Sequence, residues 1–170
     1  MKNITKLFAI AIAVIGFTTT SIAQVTKTAT ATGTIVTPIN LVNAGDINFG
    51  NVAVSATAGT VILAPAGTRT ITGGVTLPGV PGTVSAAKFD VSGTPAYTYA
   101  ITLPSTATTV TSGGNTMTVN AFTSSPSTTG VLDGAGKQTI SVGATLNVGA
   151  TQASGIYVSG TPFDVTVNYN

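Results

Sequence analysis

The chain has 170 residues, a length typical of one domain, and it contains no cysteine and no histidine. These absences exclude Ser-His-Asp and Cys-His catalytic sites and remove the usual ligands of zinc. The net charge is +2, from six Lys and Arg against four Asp. Two of the bases, Lys2 and Lys6, lie in the N-terminal segment. The rest of the chain is therefore neutral and offers no clustered basic face to nucleic acid.

The first 23 residues are typical of a secretory signal peptide. Lys2 and Lys6 give it a positive start, Leu7–Phe17 form an apolar run, and Ser21–Ala23 form a small-x-small cleavage site. The run has eleven residues, whereas a membrane-spanning helix needs about 20. We expect cleavage before Gln24 and export to the periplasm, the outer membrane or the cell surface. A retained membrane anchor is the alternative.

Apolar and polar residues alternate with a period of two through the rest of the chain, and no helical periodicity is visible. The clearest segments are Tyr97–Leu103, Ile140–Val148 and Phe163–Tyr169. Short strands separated by Gly and Pro turn signals indicate a sandwich or a barrel, and one polar face per strand is typical of antiparallel sheets. We predict an all-β, antiparallel, immunoglobulin-like β-sandwich at residues 38–170. A membrane barrel would carry regular aromatic girdles, which are missing.

An N-terminal β-arm, residues 24–37, precedes the predicted sandwich. Threonine occupies every even position from Thr26 to Thr34. The odd positions share the other face and are Val25, Lys27, Ala29, Ala31, Gly33 and Ile35. An alternating edge strand is an aggregation hazard unless something covers it. We predict that Val25, Ala29, Ala31 and Ile35 pack beside the C-terminal strand of a neighbouring copy, against Phe163, Val165, Val167 and Tyr169.

Few residues suggest site chemistry. Asp46 with Asn43 and Asn48 could offer oxygen ligands to calcium, but the spacing of a calcium loop is missing, and we expect a turn instead. Tyr97 and Tyr99 share one face of a predicted strand, either as core residues, which we favour, or as a sugar-binding platform. We predict no catalytic, cofactor-binding or metal-binding residue and expect that the protein is not an enzyme.

Three groups of segments resemble a known family. They are Ile39–Leu41 with Asp46–Val52, then Ala86–Gly93 with Tyr97–Pro104, then Val142–Leu146 with Gly155–Tyr157 and Phe163–Tyr169. In this order they resemble the secreted bacterial family catalogued as domain of unknown function 4402. That family is distantly similar to chaperone–usher pilins and to spore-coat U type proteins.

The resemblance implies an immunoglobulin-like subunit of a surface fibre, or fimbrium, of a Gram-negative bacterium. In pilins the arm of one subunit completes the sheet of the next. The implied partners are copies of this chain or related subunits, a periplasmic chaperone and an outer-membrane usher. The chain departs from many pilins in having no disulfide, and Lys27 lies on the face that would insert. The alternative is a self-contained binding module, an adhesin or a glycan-binding protein.

The signal peptide yields the first prediction. We expect the mature protein to begin at Gln24, because the apolar run and the small-x-small site direct cleavage there. N-terminal sequencing of the protein recovered from cells measures this directly. A main pool that retains Met1 would contradict the prediction.

Overall fold

The computed structural model describes residues 23–170, so the predicted signal peptide lies outside the described range except for Ala23. Residues Ile35–Asn170 form one folded unit, and the described residues before Ile35 belong to a separate one. Within residues 23–170 no helix is long and apolar enough to span a membrane.

The folded unit is built from short strands, and all their pairings are antiparallel. In the described residues the strands are β1 (Asn40–Gly45), β2 (Asn48–Phe49), β3 (Ala53–Leu63), β4 (Arg69–Thr76), β5 (Val84–Ser85), β6 (Ala87–Ser92), β7 (Thr98–Thr102), β8 (Thr108–Ser112), β9 (Asn115–Ser125), β10 (Thr129–Val131), β11 (Lys137–Val148), β12 (Val158–Ser159) and β13 (Thr166–Tyr169). The prediction of an all-β antiparallel fold is confirmed.

These strands form one large sheet and two small ones. The large sheet has the order β1-β6-β11-β9-β8-β12, with β3 paired to β11 and β4 paired to β3. A three-stranded sheet has the order β10-β7-β13, and β2 pairs with β5 as a short ribbon. The three-stranded sheet packs on one half of the large sheet, which gives a sandwich-like arrangement.

Strand β11 is the centre of the large sheet. Its first half pairs with β6, its second half pairs with β3, and β9 pairs along its other edge. Five alternate side chains, as expected from the sequence, are buried: Ile140, Val142, Ala144, Leu146 and Val148. Gly143 lies where the partner changes from β6 to β3. A Cβ at Gly143 would collide with the backbone carbonyl of Leu63, so the crossing requires glycine.

The first hydrophobic core lies between β6, the first half of β11 and the three-stranded sheet. Its fully buried side chains include Val91, Tyr99, Leu132 and Ile140. Burial raises the pKa of the Tyr99 hydroxyl. The hydroxyl therefore stays protonated at neutral pH and donates a hydrogen bond of 2.6 Å to Gln138 Oε1.

Tyr97 behaves differently from Tyr99. It precedes β7 and is 44% exposed. Our expectation that both tyrosines belong to the core is wrong for Tyr97, because the alternation begins only where β7 begins.

The second hydrophobic core lies under the other half of the large sheet. Its buried side chains come from β3, β4, β9 and the second half of β11 and are Val61, Val75, Val119, Ala144, Leu146 and Val148. Half-buried side chains of the β2 region, such as Ile47, Phe49 and Val52, pack against it. Loops and a two-stranded ribbon, rather than a full sheet, thus cover this half.

The turn near Asp46 forms as expected. The Asn43 side-chain amide donates to Asp46 Oδ1 over 2.9 Å, and the Gly45 backbone N–H donates to Asn43 Oδ1 over 2.8 Å. The Gly50 N–H donates in the same way to Asn48 Oδ1. These oxygens are therefore engaged in shaping the chain between β1 and β3.

A matched pair of substitutions tests the role of β11. Ile140→Ala should lower the free energy of unfolding by about 2–5 kcal/mol, because it leaves a cavity in the first core. Ile62→Ala removes the same atoms from a side chain that is 41% exposed, and it should cost about 1 kcal/mol or less. Urea denaturation measures both. Equal losses would show that β11 is not the centre of the core.

Candidate assembly site

The C-terminal strand pairs on one side only. Strand β13 lies at an edge of the three-stranded sheet, where Thr166 to Tyr169 pair with Thr102 to Tyr99 of β7. Its other edge has no strand partner in the described residues. The backbone N–H and C=O groups along this edge can therefore accept a further strand.

The predicted strand Phe163–Tyr169 is shorter than expected. Phe163–Val165 precede β13 and pair with no strand of the described chain. The reason is that β7 ends at Thr102, and Pro104 follows closely. Among the described residues no backbone hydrogen bond involves Phe163–Val165. The stretch therefore leaves backbone groups on both of its sides open to a partner.

The four predicted residues of this stretch do share one face. Val167 is buried in the first core, and Phe163, Val165 and Tyr169 are half-buried against it. The Phe163 ring packs edge-on against Phe89, with 6.4 Å between ring centroids. This side of the sandwich is therefore apolar but not fully closed.

Tyr169 ties the end of β13 to the chain that enters β1. Its hydroxyl donates to the Thr37 carbonyl over 2.9 Å and accepts from the Thr94 N–H over 2.7 Å. The Thr37 N–H in turn donates to Thr94 Oγ1 over 2.9 Å. A Cβ at Gly93 would collide with the Tyr169 hydroxyl, so a glycine is required beside it. We call Thr37, Thr94 and Tyr169 the tyrosine clamp.

The sequence indicated Tyr169 but gave no signal for Thr37 or Thr94. Those two residues are distant in sequence, and the hydrogen bonds at the Tyr169 hydroxyl bring them together. The clamp places the last residue of β13 beside the point where the arm joins the folded unit.

A large apolar cleft lies at the Phe163 end of the C-terminal stretch, opposite the tyrosine clamp. Its volume is about 1280 Å³. Val110, Met117 and Leu146 of the second core form its floor, and Phe163 and Asn43 line it as well. The beginning of the C-terminal stretch and the end of β1 thus meet at the cleft, whereas the clamp joins their opposite ends.

The arm residues form a separate part of the described chain. Residues 23–39 carry no strand, and Val25 is 78% exposed. Ala29 and Ala31 are also exposed, and Ile35, at the start of the folded unit, is 100% exposed. The pairing of these four residues with Phe163, Val165, Val167 and Tyr169 of a neighbouring copy stays a prediction.

The clamp yields a matched test. Tyr169→Phe removes both hydroxyl bonds and should lower the free energy of unfolding by about 1–3 kcal/mol, since each bond contributes about 0.5–1.5 kcal/mol. Tyr97→Phe is the control: Tyr97 packs against Tyr169 at 5.5 Å between centroids, and its hydroxyl takes part in no hydrogen bond of the described chain. Amide exchange at Thr94 should accelerate only in Tyr169→Phe. Equal behaviour of the two variants would show that the clamp is unimportant.

The comparisons with known proteins agree with this description. The family model named Domain of unknown function (DUF4402) matches residues 39–169, which begin just before β1 and end with β13. No curated protein and no solved structure matches the chain. Because the family match covers most of the sequence, the chain belongs to the DUF4402 family.

Proposed function

We propose that this protein is a non-enzymatic structural subunit of the cell envelope or cell surface, pilin-like, which assembles by β-strand addition. The arm of one copy, residues 24–37, adds to the free edge of β13 in a neighbouring copy. Val25, Ala29, Ala31 and Ile35 face the half-buried side chains of the C-terminal stretch. The observation that carries the proposal is the unpaired edge of β13 above an incompletely closed apolar core.

The exposed edge argues for a strand as the occupant. Backbone groups along Phe163–Tyr169 are free on at least one side, and a strand satisfies them with a regular ladder. A small molecule could fill apolar space but could not pair a row of amides and carbonyls. The arm alternates regularly, contains one charged residue and is longer than the edge that it would cover.

The tyrosine clamp and the apolar cleft lie at opposite ends of the C-terminal stretch, and this placement supports a neighbouring copy as the donor of the arm. The arm joins the folded unit at the clamp, beside Tyr169. The apolar cleft lies at the opposite end, beside Phe163. An arm that enters from the cleft end therefore comes from another copy, whose own clamp end carries the arm onward. Repetition of this contact links copies head to tail, and such a heterologous contact builds an open fibre.

The sizes of the arm side chains also support insertion of the arm from the cleft end. An arm that enters at the cleft places Ile35, its bulkiest apolar residue, at the apolar cleft. Ala31 and Ala29 then lie further along the edge of β13. Full burial of Ile35 contributes about 1.5–3 kcal/mol, so the backbone ladder supplies most of the remaining free energy.

Composition supports an envelope role. The described chain carries four acidic residues, all Asp, and no histidine or cysteine, which leaves few groups for acid–base or nucleophilic catalysis. A neutral chain with few charges also favours association. Export by the N-terminal segment would deliver it to the periplasm, where a chaperone would protect the free edge before an usher assembles the fibre.

Deletion of Gln24–Thr34 tests the arm. The truncated protein should no longer polymerise, and its uncovered edge should make it aggregate. A synthetic peptide of residues 24–36 should restore solubility by pairing with β13. The same peptide with Thr30→Pro is the matched control, because proline removes a donor from the ladder and should abolish rescue. Light scattering and negative-stain microscopy provide the readouts. A truncated protein that stays as soluble and as oligomeric as the full one would overturn the proposal.

Cysteine crosslinking separates a neighbouring donor from the chain's own arm. The chain has no native cysteine, so every disulfide reports an introduced pair. Copies carrying Ala31→Cys are mixed with copies carrying Val165→Cys, and disulfides between the two show pairing between copies. If only the double variant crosslinks, within one chain and at high dilution, the arm closes its own domain and the binding-module alternative is correct.

A further inference from the structure

A second concavity lies on the folded unit beside the apolar cleft, with which it shares Pro162 and Phe163. Its volume is about 720 Å³. Its walls are the loop between β7 and β8, strand β8 itself, and the segment from Gly160 to Asp164. Residues from two distant parts of the chain thus meet here, so nothing in the sequence indicated the site.

Hydroxyl groups dominate the lining of this concavity, which we call the hydroxyl pocket. They belong to Thr102, Ser105, Thr106, Thr108, Thr109, Thr111, Thr161 and Thr166. Elsewhere on the unit the hydroxyls of Thr60 and Thr72 bond to each other over 2.7 Å. In the hydrogen bonds of residues 23–170, none of the eight pocket hydroxyls takes part through its side chain. They are therefore free to donate to and accept from a ligand.

One carboxylate and several rings complete the pocket. Asp164 is exposed, and no hydrogen bond within the described chain uses its side chain. A carboxylate only accepts, and its hydrogen bonds from hydroxyl or ammonium donors are stronger than neutral ones. Phe163, Pro104 and Pro162 add apolar ring surfaces. No Lys or Arg of the part of the chain that the structure describes lines the pocket, so an anionic ligand would find no counter-charge there.

From these features we infer that the hydroxyl pocket binds a saccharide unit that is uncharged or carries an amine. A pyranose presents several hydroxyls, each both donor and acceptor, around a ring with apolar C–H faces. The pocket offers the complementary set: hydroxyls and a carboxylate for the polar rim, and Phe163 with the two prolines for the ring face. Acidic sugars are excluded, because Asp164 would repel them.

The binding contact and the proposed strand addition share Phe163 but otherwise use opposite faces of the C-terminal stretch. Asp164 and Thr166 are exposed, on the opposite face of the C-terminal stretch from the half-buried Val165 and the buried Val167. A single site of this kind binds weakly, and repetition along a fibre would raise the overall avidity without a new contact. The inference holds equally for a monomeric module, so its failure leaves strand addition untouched.

Titration of the isotope-labelled, exported protein with glucose, glucosamine and glucuronate tests the inference by NMR. Glucose and glucosamine should shift the amides of residues 102–111 and 160–166, and glucuronate should not. Asp164→Asn should weaken binding by about tenfold, since hydrogen bonds to a charged acceptor are stronger than those to a neutral amide oxygen. Asp90→Asn, which changes the charge equally on the outer face of β6, should change binding less than about twofold.

A second pocket variant is needed because Asp164 lies in the C-terminal stretch, where a substitution could also change assembly. Thr106→Val lies in the loop after β7, outside the candidate assembly strand, and should also weaken binding. Three results would overturn the inference: no shifts at tens of millimolar sugar, shifts that map outside the pocket, or equal binding by the Asp164→Asn and Asp90→Asn variants. Binding of glucuronate as tight as that of glucosamine would overturn it as well.

Discussion

The arrangement of the large sheet and its two cores depends on one position in β11, where the neighbouring strand changes. Strand β11 has two edges but pairs with three strands, so along one edge it must exchange β6 for β3. The exchange occurs at Gly143, where the backbone of Leu63 approaches so closely that no side chain fits. The large sheet is thereby divided into two halves, each with its own apolar core. A side chain at Gly143 would push β3 away and open both cores.

The two halves are covered unequally, and the candidate sites follow from this difference. A three-stranded sheet covers the first half, whereas a short ribbon and loops cover the second. Loops cannot close an apolar sheet face as completely as another sheet does, so a wide cleft remains over the second half. The sheet that covers the first half is itself narrow, and within residues 23–170 its last strand, β13, has no partner at its outer edge. The cleft thus belongs to the second half and the free edge to the first, and Phe163 lines the cleft next to that edge.

The surface of the folded unit carries many hydroxyl and amide side chains and few charged ones. On the outer face of the large sheet, Asn147 donates to Thr118 and Asn120 of β9, and Thr139 donates to Asp90. Such cross-strand pairs stabilise a sheet without ion pairs. Other hydroxyl groups make no side-chain hydrogen bond within residues 23–170, among them those of Thr102, Thr108 and Thr166, which lie in strands. The hydroxyl pocket is the place where several of these unpaired groups converge around Asp164.

The amino-acid sequence by itself determined the fold class and the inward face of each long strand. The alternation in Ile140–Val148 and Phe163–Tyr169 depends only on the two-residue period of a strand, so it could be read directly. The tertiary structure alone decided which strands stay unpaired, because pairing depends on segments distant in sequence. It shortened the last strand to Thr166–Tyr169, since β7 ends before it can pair with Phe163. It also placed Tyr97 at the surface and joined Thr37 and Thr94 to Tyr169. The hydroxyl pocket could not be predicted for the same reason: its threonines are common in the chain, and only packing brings those of two distant segments together.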